Sequence, residues 1–167
     1  MVKTFPARGF TLIELLVAIS LAVIIGSFGL AYYSSFNRRQ VVEQATKKIV
    51  SDIRLAQNLA LSQQKPNSID CTCTALKSYS FVVDVVGSSY WIIPDCEPAC
   101  VDDDNKVKEV GLENVTLSGG LEWIKFSVLS QGVGITPAGG QLIIQSKDGL
   151  YRREIVVGDG GSLTIEE

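Results

Sequence analysis

The chain changes its hydrophobic rhythm twice. From Leu15 to Asn37 there is no charged residue, a run of 23 positions. As a helix that run is long enough to cross about 30 Å of hydrocarbon. Past Arg38 the apolar positions thin to Val42, Ala45, Ile49, Ile53, Ala56 and Ala60, spaced by three or four, which predicts one buried face of a continuing helix. Glu43, Lys47, Lys48, Asp52 and Gln57 occupy the other positions, and Pro66-Asn67 supplies a stop. The pattern therefore predicts a single helix from Phe10 to about Gln64, roughly 80 Å long at about 1.5 Å per residue. Gly26 and Gly29 are positions where its first half can bend.

After Pro66 the rhythm becomes that of short strands. Ser78–Val86 and Tyr90–Ile93 flank Gly87-Ser88-Ser89 and predict a hairpin. Further runs are Val115–Leu117, Leu121–Leu129, Gln141–Gln145, Tyr151–Val157 and Ser162–Ile165, with glycine-bearing turns between most of them. A polar segment, Pro94–Glu109, interrupts the series. The expected fold class is α+β: a long N-terminal helix, half membrane-like and half amphipathic, packed on a small antiparallel β-sheet. The expected division is a leader over 1–9, a membrane or assembly helix over 10–37, its amphipathic continuation over 38–65, and a sheet domain over 66–167.

One carboxylate disturbs the apolar run. Glu14 lies near its start. On insertion scales a carboxylate such as Asp costs about 2.5–3.5 kcal/mol at the centre of a membrane helix. Near the end the cost is lower but still calls for a partner. Lys3 and Arg8 precede the run, which favours keeping that end cytoplasmic and exporting the rest; Arg38 and Arg39 after it weaken the asymmetry. A secretory signal peptide has a shorter apolar region followed by a small-residue cleavage site; here the run is longer and the small residue, Gly9, precedes it. A plain membrane anchor explains the length but not Glu14.

Arg8-Gly9-Phe10-Thr11-Leu12-Ile13-Glu14-Leu15-Leu16 resembles the prepilin processing motif of type IV pilins and type II secretion pseudopilins. The resemblance implies cleavage between Gly9 and Phe10 by a prepilin peptidase, an aspartic membrane protease, and N-methylation of the new Phe10 amine. It implies assembly with other pilin or pseudopilin subunits on an inner-membrane platform, from a single-pass inner-membrane, lipid-embedded state with the C-terminal domain outside the cytoplasm. Within the family, Ser51–Ala60 and the closing Arg153–Gly158, Gly161 and Leu163–Ile165 resemble the H-type pseudopilins and related minor pilins. The physics of Glu14 suits that role: a subunit sliding in beside its predecessor would set its Phe10 amine against the neighbour's Glu14, turning two costly charges into one pair and fixing the register between subunits.

Composition removes most competing chemistry. With 167 residues, a net charge of −3 and no histidine, the chain has no Ser-His-Asp triad and lacks the commonest general base and metal ligand. Nothing in it pairs a nucleophile with a base or forms a phosphate loop, so no enzyme activity and no cofactor are expected. Four cysteines form two close pairs, Cys71/Cys73 and Cys96/Cys100. In an exported domain they read as disulfides of open connectivity. A four-thiolate metal site is the alternative, although the single residue between Cys71 and Cys73 is tight for one. Asp102-Asp103-Asp104 reads as a solvated loop, with Ca²⁺ as the alternative occupant. Two rivals to a fibre subunit remain: a membrane-anchored extracytoplasmic binding domain, and a minor pilin in DNA uptake. The second needs Lys47, Lys48, Lys65, Lys77, Arg152 and Arg153 to cluster in space; scattered as they are in sequence, they speak against nucleic acid as a partner.

Overall fold

The computed structural model describes residues 9–66, 73–97, 106–128, 132–158 and 160–166, with backbone alone over 28–31. Cys71, Cys100 and Asp102-Asp103-Asp104 lie outside the described residues. The chain divides into two units, Met1–Asn37 and Arg38–Glu167. One helix, α1 (Leu12–Leu61), contributes to both.

In the first unit every described large apolar side chain from Phe10 to Phe36 is at least half exposed. Among the described residues this is the one helix long and apolar enough to cross a membrane. Its hydroxyls are internally satisfied: Ser20 donates to the Leu16 carbonyl and Ser27 to that of Val23, both at 2.8 Å. That back-bonding leaves neither hydroxyl needing a water, as an apolar surrounding requires.

The second unit packs the rest of α1 onto two antiparallel sheets. The strands are β1 (Ala75–Asp84), β2 (Ser89–Glu97), β3 (Lys108–Gly111), β4 (Val115–Gly119), β5 (Trp123–Ser127), β6 (Val133–Thr136), β7 (Gln141–Ser146), β8 (Arg152–Val157) and β9 (Leu163–Glu166). Five form a sheet in the order β3-β2-β1-β5-β6, and four form another in the order β4-β7-β8-β9. The six helix positions of the stripe, Val42 to Ala60, are all buried. They meet Tyr79, Phe81, Tyr90, Ile92 and Ile124 of the first sheet and Leu117, Leu142, Ile144 and Ile155 of the second in one core. Burial of each Val or Ile there contributes about 1.5–3 kcal/mol. The β1–β2 hairpin forms as the pattern predicts, with Asp84 opposite Ser89.

The structure corrects the sequence reading at four points. There are two sheets, not one. The strand β2 continues through Pro94 to Glu97, where an interrupting polar segment was expected from Pro94. The partner strand β3 covers only Ser89–Ile92, so beyond Ile92 one side of β2 is an edge, where proline is tolerated. The short strands β3 and β6 have no counterpart in the sequence reading. The helix ends at Leu61 rather than Gln64, through a left-handed residue rather than at Pro66. Gln63 has φ 51°, its N–H donates to the Ala60 carbonyl and the N–H of Gln64 to that of Leu59, both at 3.2 Å. These are the two bonds of a Schellman stop. The Tyr79 hydroxyl then donates to the Gln64 carbonyl at 2.6 Å, fixing the helix exit onto β1.

A buried carboxylate sets the helix against the first sheet. Asp52 is 3% exposed; it accepts from the Tyr90 hydroxyl at 2.8 Å and the Lys108 ammonium at 2.6 Å. One helix side chain thus pins β2 and β3 together. Burial, and then the bond to Asp52, push the Tyr90 hydroxyl pKa up.

At the β7–β8 turn a second carboxylate organises the backbone. Asp148 Oδ1 accepts from the Ser146 hydroxyl at 2.6 Å and the Leu150 N–H at 3.3 Å, while Oδ2 takes Arg38 at 2.7 Å. The Ser146 hydroxyl, followed by Arg38 and the Leu150 N–H, holds its pKa at about 2.

Asp52→Ala strands the buried Tyr90 hydroxyl, and should cost about 2 kcal/mol; Tyr90→Phe leaves Asp52 on Lys108 and should cost about 1 kcal/mol. Urea midpoints at unchanged slope measure both, and an equal or reversed order would contradict the arrangement. Because the Asp148 pKa is depressed on folding, its contribution is present above about pH 4 and is lost as pH falls toward about 2. Asp148→Asn should therefore flatten the acid limb of a stability–pH curve over that window.

Candidate functional site

The helix start contains the residues that the sequence singled out. Gly9 and Phe10 precede α1, and Phe10 is 84% exposed. Thr11 sits at the cap and Glu14 in the first turn. The Glu14 N–H donates to Thr11 Oγ1 at 3.3 Å, while the Thr11 N–H and hydroxyl donate to Glu14 Oε2 at 3.2 and 3.1 Å. This is a reciprocal capping box, which satisfies two orphan donors at the helix start. The sequence reading missed it, although Thr-x-x-Glu before an apolar run is its signature. The carboxylate also lies at the positive end of the helix dipole.

The box answers part of the question that Glu14 raises. Within one chain the carboxylate already has a local partner, so it is not a bare charge. Both bonds from Thr11 end on Oε2, and among the described hydrogen bonds Oε1 accepts none. A carboxylate has about four acceptor positions, so a cation from another chain can be added without breaking the box.

In the second unit the cysteine reading becomes partly visible. Cys73 and Cys96 form a disulfide with Cα atoms 5.3 Å apart and a sequence separation of 23. The bridge takes one cysteine from each close pair and ties the entry of β1 to the end of β2. Closing a loop of that size contributes about 3 kcal/mol in the chain-entropy account. So joined, neither sulfur is a thiolate available to the four-cysteine metal site. Among the described residues no group of three or more His, Cys, Asp or Glu is placed to hold a metal ion.

The basic residues weighed for nucleic acid fall into separate groups. Lys47 and Arg153 both reach Glu43, at 3.9 and 3.5 Å. Lys65 donates to the Thr74 carbonyl at 2.6 Å and Lys77 pairs with Glu97 at 2.9 Å, beside the disulfide. Glu43 and the helix end at Leu61 are about 27 Å apart along the axis. The six therefore do not form one patch.

Both tryptophans lie on the outer face of the five-stranded sheet. Val82 of β1 is opposite Trp91 on one side and Trp123 on the other, and Lys106 lies 5.0 Å over the Trp91 ring. The sequence reading gave these residues no role; the row exists only because β1 is the central strand.

Residues 5–30 match the prokaryotic N-terminal methylation motif. Among solved structures the chain is similar to the minor pseudopilin EpsH from the Type 2 Secretion System of Vibrio cholerae. The two share 11% sequence identity at a TM-score of 0.53, over 75% of this chain and 95% of that one. At such identity the likeness is one of fold. No curated protein matches by sequence.

Removing the cap hydroxyl while keeping its shape, Thr11→Val, should weaken the first helical turn by about 1 kcal/mol. Amide hydrogen exchange of the full chain in detergent micelles checks this: exchange at residues 12–15 should accelerate while that of β1 and β2 stays unchanged.

Proposed function

We propose that this pilin-like chain, which carries the N-terminal methylation motif at the head of a pseudopilin-type fold, is a minor subunit of a pilus-like fibre. The type II secretion pseudopilus is favoured over the type IV pilus. The motif at residues 5–30 carries the reading; the α+β fold supports it and favours the secretion machine.

In this reading prepilin peptidase cuts between Gly9 and Phe10, and the new Phe10 amine is methylated. The uncut chain sits in the inner membrane with its first 9 residues in the cytoplasm and the disulfide-bearing unit outside, where oxidising conditions sustain the Cys73–Cys96 bond. The segment 10–37 is the membrane and assembly helix, 38–65 the domain-bound helix, and 66–167 the sheet domain. Partners are other pilin or pseudopilin subunits and an inner-membrane assembly platform.

The mechanism is electrostatic and geometric rather than catalytic. Cleavage creates a cation at Phe10, four positions before Glu14. In the low-dielectric membrane, an amine and a carboxylate on adjacent subunits attract far more strongly than in water, and each charge unpaired is costly. The capping box holds the Glu14 carboxylate in one orientation before the neighbour arrives. Oε1 is then the acceptor for the incoming Phe10 amine, and the fixed depth of Glu14 sets the stagger between subunits.

Glu14→Ala should leave the cut at Gly9/Phe10 intact but abolish incorporation into the fibre. Mass spectrometry of the membrane form should show a chain beginning at N-methylated Phe10 in both wild type and variant. Only the wild type should appear in fibre-containing fractions and support secretion by its machine. A variant that assembles and functions normally would overturn the pairing; a wild-type chain that retains its first nine residues would overturn the reading as a whole.

A further inference from the structure

The β7–β8 turn has features that neither the core nor the assembly helix uses. It is held in one shape by Asp148 and by the Tyr151 N–H, which donates to Ser146 Oγ at 3.2 Å. Gly149 takes φ 71°, a left-handed conformation that glycine adopts without strain. The turn presents Lys147, Leu150 and Arg152 outward, all exposed, and Leu150 is 75% exposed at the tip. A well-ordered turn that displays a leucine between two cations is amphipathic.

Its contacts tie that amphipathic turn to the first residues of the second unit. Asp148 binds Arg38 at 2.7 Å, and Arg38 is the first charged residue after the 23 uncharged ones that begin at Leu15. Next along the helix, Arg39 stacks over Tyr151 at 5.6 Å, and Arg153 lies at 5.6 Å from the same ring. Tyr32, Tyr33 and Phe36, exposed just before Arg38, form the kind of aromatic girdle found where membrane helices meet water. The turn is thus fastened to the point where the apolar run ends. Among the described ion pairs, none takes up Arg39, Lys147 or Arg152. The next residue on Arg152's face, Glu154, is about 7 Å further from the turn.

We infer that the β7–β8 turn is a membrane-surface contact, in which Leu150 enters the headgroup region of an anionic phospholipid surface while Arg39, Lys147 and Arg152 bind its phosphates. This rests on the membrane-anchored reading above. Charge complementarity and continuity with the membrane-crossing segment select the occupant. An interfacial apolar side chain buries about 5–10 Å into the headgroup and acyl boundary, and a basic residue near an anionic surface strengthens the contact about fivefold. The contact would hold the unit against the membrane before assembly and would have to be released when the subunit leaves the bilayer.

The test uses the full chain reconstituted in vesicles of phosphatidylcholine with or without phosphatidylglycerol, both containing lipids brominated high on the acyl chain. Leu150→Trp places a fluorophore at the tip, and the wild-type chain supplies the background of Trp91 and Trp123. The expected result is extra quenching of the Leu150→Trp chain in the phosphatidylglycerol vesicles. It should be lost in Leu150→Trp carrying Lys147→Glu and Arg152→Glu, and weakened by salt once the screening length falls to about 3 Å at 1 M. These two substitutions leave the Arg38–Asp148 pair in place, and an unchanged urea midpoint shows that the unit is folded. Quenching equal to the wild-type background, quenching equal in both lipid compositions, or tip protection that rises with protein density and so comes from a second copy, would each overturn the inference. If the chain does not float with the vesicles, the membrane-anchored reading fails first, and this inference with it.

Discussion

The second unit is held together by one shared surface. Each of its sheets is apolar on a single face, and the helix stripe from Val42 to Ala60 lies in the common core of both. Neither sheet could bury its inner face without it, since each is open and small. The polar devices of the fold follow from that burial. Asp52 lies buried within the packed part of the helix, so its carboxylate must be satisfied, and Tyr90 and Lys108 satisfy it from two strands at once. The charge that would be a defect in a plain core fixes the helix against the first sheet.

The same logic operates at both ends of α1, where backbone groups lack helical partners. At the start, Thr11 and Glu14 satisfy each other's donors. At the end, the left-handed Gln63 turns the Gln63 and Gln64 N–H groups back onto the last carbonyls, and Tyr79 takes the Gln64 carbonyl. The two ends differ in what they leave open. The exit is closed by tertiary contact, whereas the start leaves Oε1 of Glu14 accessible on an exposed helix. A group that is locally stabilised yet still able to accept a cation suits a register-setting role better than an isolated charge would. That gives Glu14 a physical place in the proposed assembly beyond its match to a motif.

Ion pairs elsewhere are distributed by task. Lys125 beside Asp95 holds that carboxyl below its usual range, on the outer face of a sheet where solvent weakens such pairs. The Asp148 cluster is different in kind, because it joins side-chain, backbone and guanidinium donors on one carboxylate and so shapes a turn. The disulfide between Cys73 and Cys96 performs the corresponding service for the β1–β2 ladder, at the opposite end from the hairpin turn.

The helix was legible in the sequence because its signals are local and periodic: a long uncharged run and a three-four stripe. The β1–β2 hairpin was legible for the same reason. The methylation motif at the helix head is likewise a matter of neighbouring residues, so Gly9, Phe10 and Glu14 could be singled out before any fold was known. Strands β3 and β6, four residues each, carry too few positions for a period to show, and they exist because an adjacent edge was available to pair with. Pro94 reads as a breaker in one dimension and is tolerated because β3 stops short of it. The division into two sheets, the Asp52–Tyr90–Lys108 set, the choice of Cys73 for Cys96 and the fastening of Asp148 to Arg38 join residues 23 to 110 positions apart. The sequence by itself determined what each segment could become and where the methylation motif lies. Which distant partners met was decided by tertiary packing, because the free energy of those contacts arises only once the helix has brought the two sheets to one core.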